Sequence, residues 1–128
     1  MEKIKILIVD DQKNVRQGLT TILGLIDGFK IVGEAADGEE AIRLAAQLDP
    51  DIVLMDMSMS ELDGTAATRS IKEQSPEVGV LMLTMHGSRS ARQRALQAGV
   101  DCFVEKEIAM QDLADSIRRV HKIKEKTI

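Results

Sequence analysis

The chain has 128 residues, of which 44% are hydrophobic, and a formal net charge of -4 at pH 7. This length suits one domain with a single core. The mildly acidic charge argues against direct binding of nucleic acid or of an anionic membrane. No apolar segment approaches the ~20 residues that span a bilayer, and no signal peptide precedes the first predicted strand, so we expect a cytoplasmic protein. The single cysteine, Cys102, excludes an internal disulfide.

Short apolar segments alternate with helical patterns along the whole chain. The predicted strands are Ile4–Val9, Lys30–Ala35, Ile52–Met55, Val78–Leu83 and Cys102–Val104. Several of them are continuously apolar, which is typical of a parallel sheet covered on both faces. Each strand is followed by a helix, and right-handed crossovers place such helices on both sides of the sheet. The pattern predicts one doubly wound α/β domain over residues 1–128, with a five-stranded parallel sheet and five helices.

Two of the helices carry clear signals. In the segment DGEEAIRLAAQL, Asp37 is a predicted N-cap, and Glu40 stands three residues later as in a capping box. The last helix is predicted from apolar residues at steps of three, four and three, namely Met110, Leu113, Ile117 and Val120.

Polar residues stand at the carboxyl ends of four predicted strands, where ligands bind in doubly wound sheets. They are Asp10, Asp11, Asp56, Thr84 and Lys106. If the strand order is 2-1-3-4-5, the first strand lies beside the third, and the three acids come within roughly 5 Å of one another. Such carboxylates repel by roughly 3 kcal/mol per pair at an effective dielectric near 20. The set therefore predicts a site for a hard divalent cation, and Mg2+ suits a site with few protein ligands.

Each of these residues has an ordinary structural interpretation when it is taken alone. Asp10 or Asp11 can be a solvated turn residue or a helix N-cap. Thr84 and Lys106 at strand ends are commonly plain surface residues. The ordered set, at the ends of the first, third, fourth and fifth strands, favours a functional site.

The same residues resemble the receiver domains of two-component response regulators over essentially the whole chain. Asp10 and Asp11 match the acidic pair of that family, Asp56 its phosphoacceptor, Thr84 its hydroxyl and Lys106 its lysine. The resemblance implies the flavodoxin-like (CheY-like) strand order 2-1-3-4-5. The segments LMDMSMSELDG, LMLTMHG and ALQAGVDCFVEK are most similar to the NarL/FixJ subfamily, whose members usually carry a C-terminal helix-turn-helix domain. A DNA-binding output domain is therefore expected beyond residue 128, and the ending IKEKTI resembles the start of a linker.

The resemblance implies a signalling function by phosphotransfer. Asp56 is expected to take a phosphoryl group from a sensor histidine kinase or a histidine phosphotransferase. Mg2+, for which Mn2+ can substitute, is expected to be held by Asp11, Asp56 and the backbone carbonyl of Ser58, with Asp10 acting through water. Lys106 is expected to pair with a phosphoryl oxygen. The domain is thus expected to be a phosphoacceptor and not an enzyme with a separate substrate.

The resemblance also assigns a switch to Thr84 and Phe103. Thr84 is expected to move to the new phosphoryl oxygens, and Phe103 to turn inward, which changes the surface of the fourth helix, fifth strand and fifth helix. A phosphorylation-dependent homodimer is a further expectation. A strand Phe is more often plain core, but alternation places Phe103 on the side of Asp101 and Glu105, which indicates a partly open face.

Three further residues are expected to flank the phosphoryl site by their positions next to Asp56 and Thr84. These are Met57, Met85 and His86. His86 is either an exposed loop residue or a group that tunes hydrolysis of the aspartyl phosphate.

Other classes of function remain as alternatives. A phosphatase that uses Asp56 as nucleophile, of the haloacid dehalogenase type, predicts an acid two residues later, where Ser58 stands. A purely structural interaction module with a degenerate pocket conflicts with the complete set of matching residues. Within the receiver class, a stand-alone regulator that acts by protein contacts is the alternative to a DNA-binding regulator.

Overall fold

The computed structural model describes residues 2–56, 61–84, 89–105 and 110–126, without the side chains of residues 61–63 and 126. The strands in these ranges are β1 (Ile4–Val9), β2 (Phe29–Ala35), β3 (Ile52–Asp56), β4 (Gly79–Thr84) and β5 (Cys102–Glu105). The helices are α1 (Lys13–Gly24), α2 (Gly38–Leu48), α3 (Glu61–Gln74), α4 (Arg89–Ala98) and α5 (Met110–Lys126). The five predicted strands are confirmed to within one residue at each end. Val78 precedes β4 because its N–H donates to the carbonyl of Ser75 in a turn, at 3.1 Å.

All neighbouring strands are parallel, and their order is β2-β1-β3-β4-β5, as predicted. The register aligns Val9 of β1 with Met55 of β3, and Asp56 of β3 with Leu83 of β4. The carboxyl ends of β1, β3 and β4 therefore meet at one edge of the sheet. That edge carries the acidic residues identified in the sequence.

Two apolar layers cover the sheet. One face packs against α1 and α5 through buried residues such as Leu23 and Ile117, and the other packs against α2, α3 and α4 through Ala41, Ile71 and Ala95. β3 and β4 are buried along their whole length. This two-sided burial explains why both strands are continuously apolar until their last residue.

The two predicted helix signals are confirmed with one difference. The Asp37 carboxylate accepts a hydrogen bond from the Glu40 backbone N–H at 2.8 Å, as an N-cap should. The Glu40 carboxylate, however, accepts from the N–H of Ala36 at 2.9 Å, one residue before the position that a capping box uses. In α5, Leu113, Ile117 and Val120 are buried and Met110 is partly buried, as the spacing predicts. Among the described helices, none combines the length and the apolar character needed to cross a membrane.

A polar cluster lies at the starts of β4 and β5, at the end of the strands opposite the acidic residues. We call it the basal clamp, and its members are Lys72, Asp101 and Lys124. The Lys72 ammonium donates to Asp101 Oδ2 at 2.6 Å and to the carbonyl of Val78 at 2.6 Å. Asp101 Oδ2 also accepts from the N–H of Val80 at 2.8 Å, and Asp101 Oδ1 lies 3.1 Å from Lys124 Nζ. The clamp therefore joins α3, β4, the start of β5 and α5.

The two lysines of the basal clamp are not equivalent. Burial lowers the pKa of Lys72 below its usual value, although Asp101 opposes the shift. Burial also acts to lower the pKa of Lys124, but the carboxylate of Asp101 favours its charged form, and the pKa of Lys124 is raised.

Candidate functional site

Three carboxylates meet at the carboxyl edge of the sheet. Asp10 and Asp56 are buried, with 0% and 1% of their surfaces exposed, whereas Asp11 is exposed. One carboxylate oxygen from each of the three lies within 4.8 Å of the others. The β1–β3 register causes this proximity, because Asp10 and Asp56 directly follow the paired residues Val9 and Met55. The structure thus brings together the acids that the sequence predicts to be neighbours.

The donor set fits a hard cation. Three negative charges at this separation repel by about 3 kcal/mol per pair at an effective dielectric near 20. All three offer oxygen, the ligand atom that Mg2+ and Ca2+ prefer, and the exposed Asp11 leaves a side open to water or phosphate. Asp10 is oriented by the Gln12 backbone N–H, which donates to its Oδ1 at 2.8 Å immediately before α1. The cluster can therefore hold a divalent ion and a phosphate group together.

Arg16 and Glu34 support the acidic site, although no motif in the sequence identifies them as site residues. Arg16 Nη1 donates to the backbone carbonyl of Asp10 at 2.7 Å, and Arg16 Nε pairs with Glu34 Oε1 at 3.1 Å. Only 15% of the Arg16 side chain is exposed. The one signal in the sequence is Glu34, an acidic residue one position before the end of β2.

Thr84 ends β4 and is buried, with 2% of its surface exposed. The β3–β4 register pairs Asp56 with Leu83, so Thr84 lies one residue beyond the strand neighbour of Asp56. Its hydroxyl belongs to the same edge of the sheet as the three carboxylates.

Phe103 lies on β5, partly buried against the apolar layer of α2, α3 and α4. This exposure agrees with the partly open face that alternation indicates. The β4–β5 register pairs Phe103 with Met82 and Glu105 with Thr84. Thr84 and Phe103 therefore share one face of the sheet, two residues apart along neighbouring strands, or roughly 8 Å between backbones.

The remaining predicted site residues lie outside the described part of the chain. They are Met57, Ser58, Met85, His86 and Lys106. Their roles remain predictions.

Residues 6–118 match the family model of the response regulator receiver domain. The chain belongs to this family. The five-stranded order and the acidic cluster described above are those expected of a receiver domain. The match to response regulators confirms the family that the motifs indicated.

Known relatives of this receiver domain include regulators of the LuxR family. This chain is 42% identical over 119 residues to the response regulator protein VraR of Staphylococcus aureus, and the match covers 93% of this chain and 57% of that protein. Among solved structures, a LuxR-family two-component response regulator from Aurantimonas sp. SI85-9A1 is 32% identical, with a TM-score of 0.86 and coverage of 94% and 86%. The signal receiver domain of a response regulator designated NarL from Mycobacterium tuberculosis is 28% identical, with a TM-score of 0.85 and coverage of 95% and 98%. The receiver domain thus spans little more than half the length of the curated relative.

Proposed function

We propose that this receiver domain accepts a phosphoryl group on Asp56 from a phosphohistidine of a sensor histidine kinase or phosphotransferase. The observation that carries the proposal is the cluster of Asp10, Asp11 and Asp56, with oxygens within 4.8 Å, at the carboxyl edge of a receiver fold. A buried carboxylate on a rigid central strand is a fixed nucleophile with little water around it.

In the proposed reaction, a carboxylate oxygen of Asp56 attacks phosphorus as the bond to the histidine nitrogen breaks. The imidazole leaves with its electron pair, and an aspartyl phosphate remains. Mg2+, when bound, supplies positive charge that stabilises the transferring phosphoryl oxygens. We assign its protein ligands to Asp11, Asp56 and the carbonyl of Ser58, with Asp10 acting through water.

Lys106 and Thr84 complete the proposed chemistry. Lys106, which follows β5 in the sequence, would offset phosphoryl charge, and Thr84 would donate its hydroxyl proton to a phosphoryl oxygen. Because Thr84 and Phe103 share a face of the sheet, movement of Thr84 would change the space available to the Phe103 ring. The proposed readout is the surface formed by α4, β5 and α5.

Intact-protein mass after incubation with acetyl phosphate and Mg2+ tests the proposal. We expect one labile phosphoryl adduct in the wild type and none in Asp56→Asn or in the presence of EDTA. Asp27→Asn, a change of an exposed acid on the loop after α1, is the matched control and should keep the adduct. An adduct that persists in Asp56→Asn would contradict the assignment of the nucleophile.

We infer further that the phosphorylated domain controls transcription through an output domain that follows residue 128. The support is that the curated relative is longer than the region it shares with this chain, and that a similar solved regulator is of the LuxR family. The reading frame after codon 128 tests this inference. A helix-turn-helix sequence there would support it, and an immediate stop codon would favour a stand-alone regulator.

A further inference from the structure

Arg92 on α4 covers the ring of Phe103. The guanidinium carbon, Cζ, lies 5.6 Å from the centre of the ring. A cation within about 6 Å of an aromatic face is attracted by the electron-rich ring, and Arg is the residue most often found in this arrangement. The contact joins α4 to β5 at the residue proposed to switch.

Arg92 depends on this contact more than an ordinary surface arginine would. Its Nε is buried, and no hydrogen-bond partner for that atom lies among the residues that the structure describes. A buried N–H without a partner is costly, so the orientation of the group needs another source of stability. The contact with the Phe103 ring provides it.

Phe103 also lies close to the acidic site. The Phe103 ring shares its face of the sheet with Thr84, which lies two residues further along the neighbouring strand β4. Arg92 on α4 lies over the ring. Rotation of the ring away from its present position would break the stacking with Arg92.

We propose that Arg92 is a positioning residue that holds Phe103 in its present position and sets how readily the ring rotates. The proposal rests on the proposed function, in which phosphorylation of Asp56 drives that rotation. Arg92 then lowers the population of the rotated ring before phosphorylation. Loss of the guanidinium should raise this population about fivefold, which corresponds to about 1 kcal/mol.

Fluorine NMR of protein labelled with para-fluorophenylalanine measures the ring directly. The chain contains two phenylalanines, Phe29 and Phe103, so two resonances are expected, and Phe29→Leu assigns them. Spectra are recorded without ligand and with Mg2+ and beryllium fluoride, which mimics an aspartyl phosphate. Arg92→Met keeps the length and the apolar stem of the side chain and removes the cation.

The expected result is that Arg92→Met moves the ligand-free Phe103 resonance towards its position in the beryllium fluoride complex. Arg92→Lys, which retains a cation but not the planar group, should restore part of the wild-type position. A purely structural role for Arg92 would change the midpoint of thermal unfolding without this directed shift.

The structure provides a matched control in the other phenylalanine. Arg118 Cζ on α5 lies 5.2 Å from the centre of the Phe29 ring. Arg118→Met therefore removes the same kind of contact at the opposite face of the sheet. It should shift the Phe29 resonance alone and leave the response of Phe103 to beryllium fluoride unchanged.

The outcomes separate the two proposals. The role of Arg92 would be overturned if Arg92→Met left the ligand-free Phe103 resonance unmoved. It would also be overturned if beryllium fluoride did not shift the wild-type Phe103 resonance although acetyl phosphate yields the adduct on Asp56. Absence of any phosphoryl adduct in the wild type with either acetyl phosphate or a phosphohistidine donor would instead overturn the proposed function.

Discussion

Arg16 fixes the backbone of the acidic site, because its Nη1 donates a 2.7 Å hydrogen bond to the carbonyl oxygen of Asp10. The same guanidinium pairs with Glu34 on β2 through Nε. One side chain thus connects α1, the end of β1 and the edge strand of the sheet.

Loss of Arg16 should cost more stability than loss of its acidic partner. Arg16→Met removes both contacts and should lower the free energy of unfolding by about 2 kcal/mol, the range for hydrogen bonds from charged groups. Glu34→Gln keeps the bond to the Asp10 carbonyl and should cost less than about 1 kcal/mol, since Glu34 is one third exposed. Urea unfolding followed by circular dichroism measures both. Equal losses in the two variants would show that the Asp10 contact contributes nothing.

Removal of one acid should stabilise the metal-free protein and abolish its response to metal. Asp56→Asn relieves repulsion among three carboxylates that lie within 4.8 Å, so we expect a gain of about 1–2 kcal/mol in EDTA. Mg2+ at a hundred times its dissociation constant should stabilise the wild type by about 2.7 kcal/mol, and Asp56→Asn much less. Thermal unfolding with and without Mg2+ measures the effect, with Asp27→Asn as the control. An equal response to Mg2+ in Asp56→Asn would exclude the cluster as the binding site.

The basal clamp should respond strongly to the loss of its only carboxylate. Asp101→Asn leaves the ammonium groups of Lys72 and Lys124 without their shared counter-charge and should destabilise the domain by about 2–3 kcal/mol. Asp115→Asn breaks the exposed pair with Arg118 and should cost less than about 0.5 kcal/mol. Chemical unfolding of the two variants compares them. Similar small losses in both would mean that the clamp behaves as an ordinary surface pair.

Two glycines should give opposite effects when they are changed to alanine. At Gly79, the first residue of β4, an added Cβ would lie 2.6 Å from Val120 Cγ1 and 2.8 Å from Ile52 Cδ1. We expect a loss of about 1–3 kcal/mol from overpacking. At Gly18, inside α1, an added Cβ meets nothing within 4 Å, so alanine should stabilise by about 0.5–1 kcal/mol through higher helix propensity. A stabilising Gly79→Ala would show that this part of the core has unused space.

The sequence predicts the strands well because sheet burial on two faces leaves a direct trace. Continuous apolar segments such as Ile52–Met55 end where the chain reaches the polar end of the sheet. The end of the apolar segment therefore predicts both the end of the strand and the candidate site residue that follows it. The meeting of Asp10 with Asp56 follows from strand order and register alone, without knowledge of any side-chain conformation.

Contacts between side chains of different elements could not be predicted in this way. The Arg16–Glu34 pair and the stacking of Arg92 on Phe103 depend on the rotamers of long side chains and on how each helix sits on the sheet. Neither the rotamers nor the placement of the helices produces a periodic pattern in the sequence. At the start of α2, the sequence predicts the N-cap at Asp37 but not the hydrogen bond that the Glu40 carboxylate accepts from the Ala36 N–H.

The basal clamp and the acidic cluster lie at opposite ends of the central strands. The length of β4, from Gly79 to Thr84, separates them by roughly 16 Å, several times the 4.8 Å within which the carboxylate oxygens of the cluster lie. Because the energy between two charges falls as their separation grows, charge changes at the clamp should influence metal affinity much less than charge changes within the cluster. The stability of this domain can therefore be changed at one end of the sheet with less effect on the acidic cluster at the other end, and a protein engineer can use the same freedom.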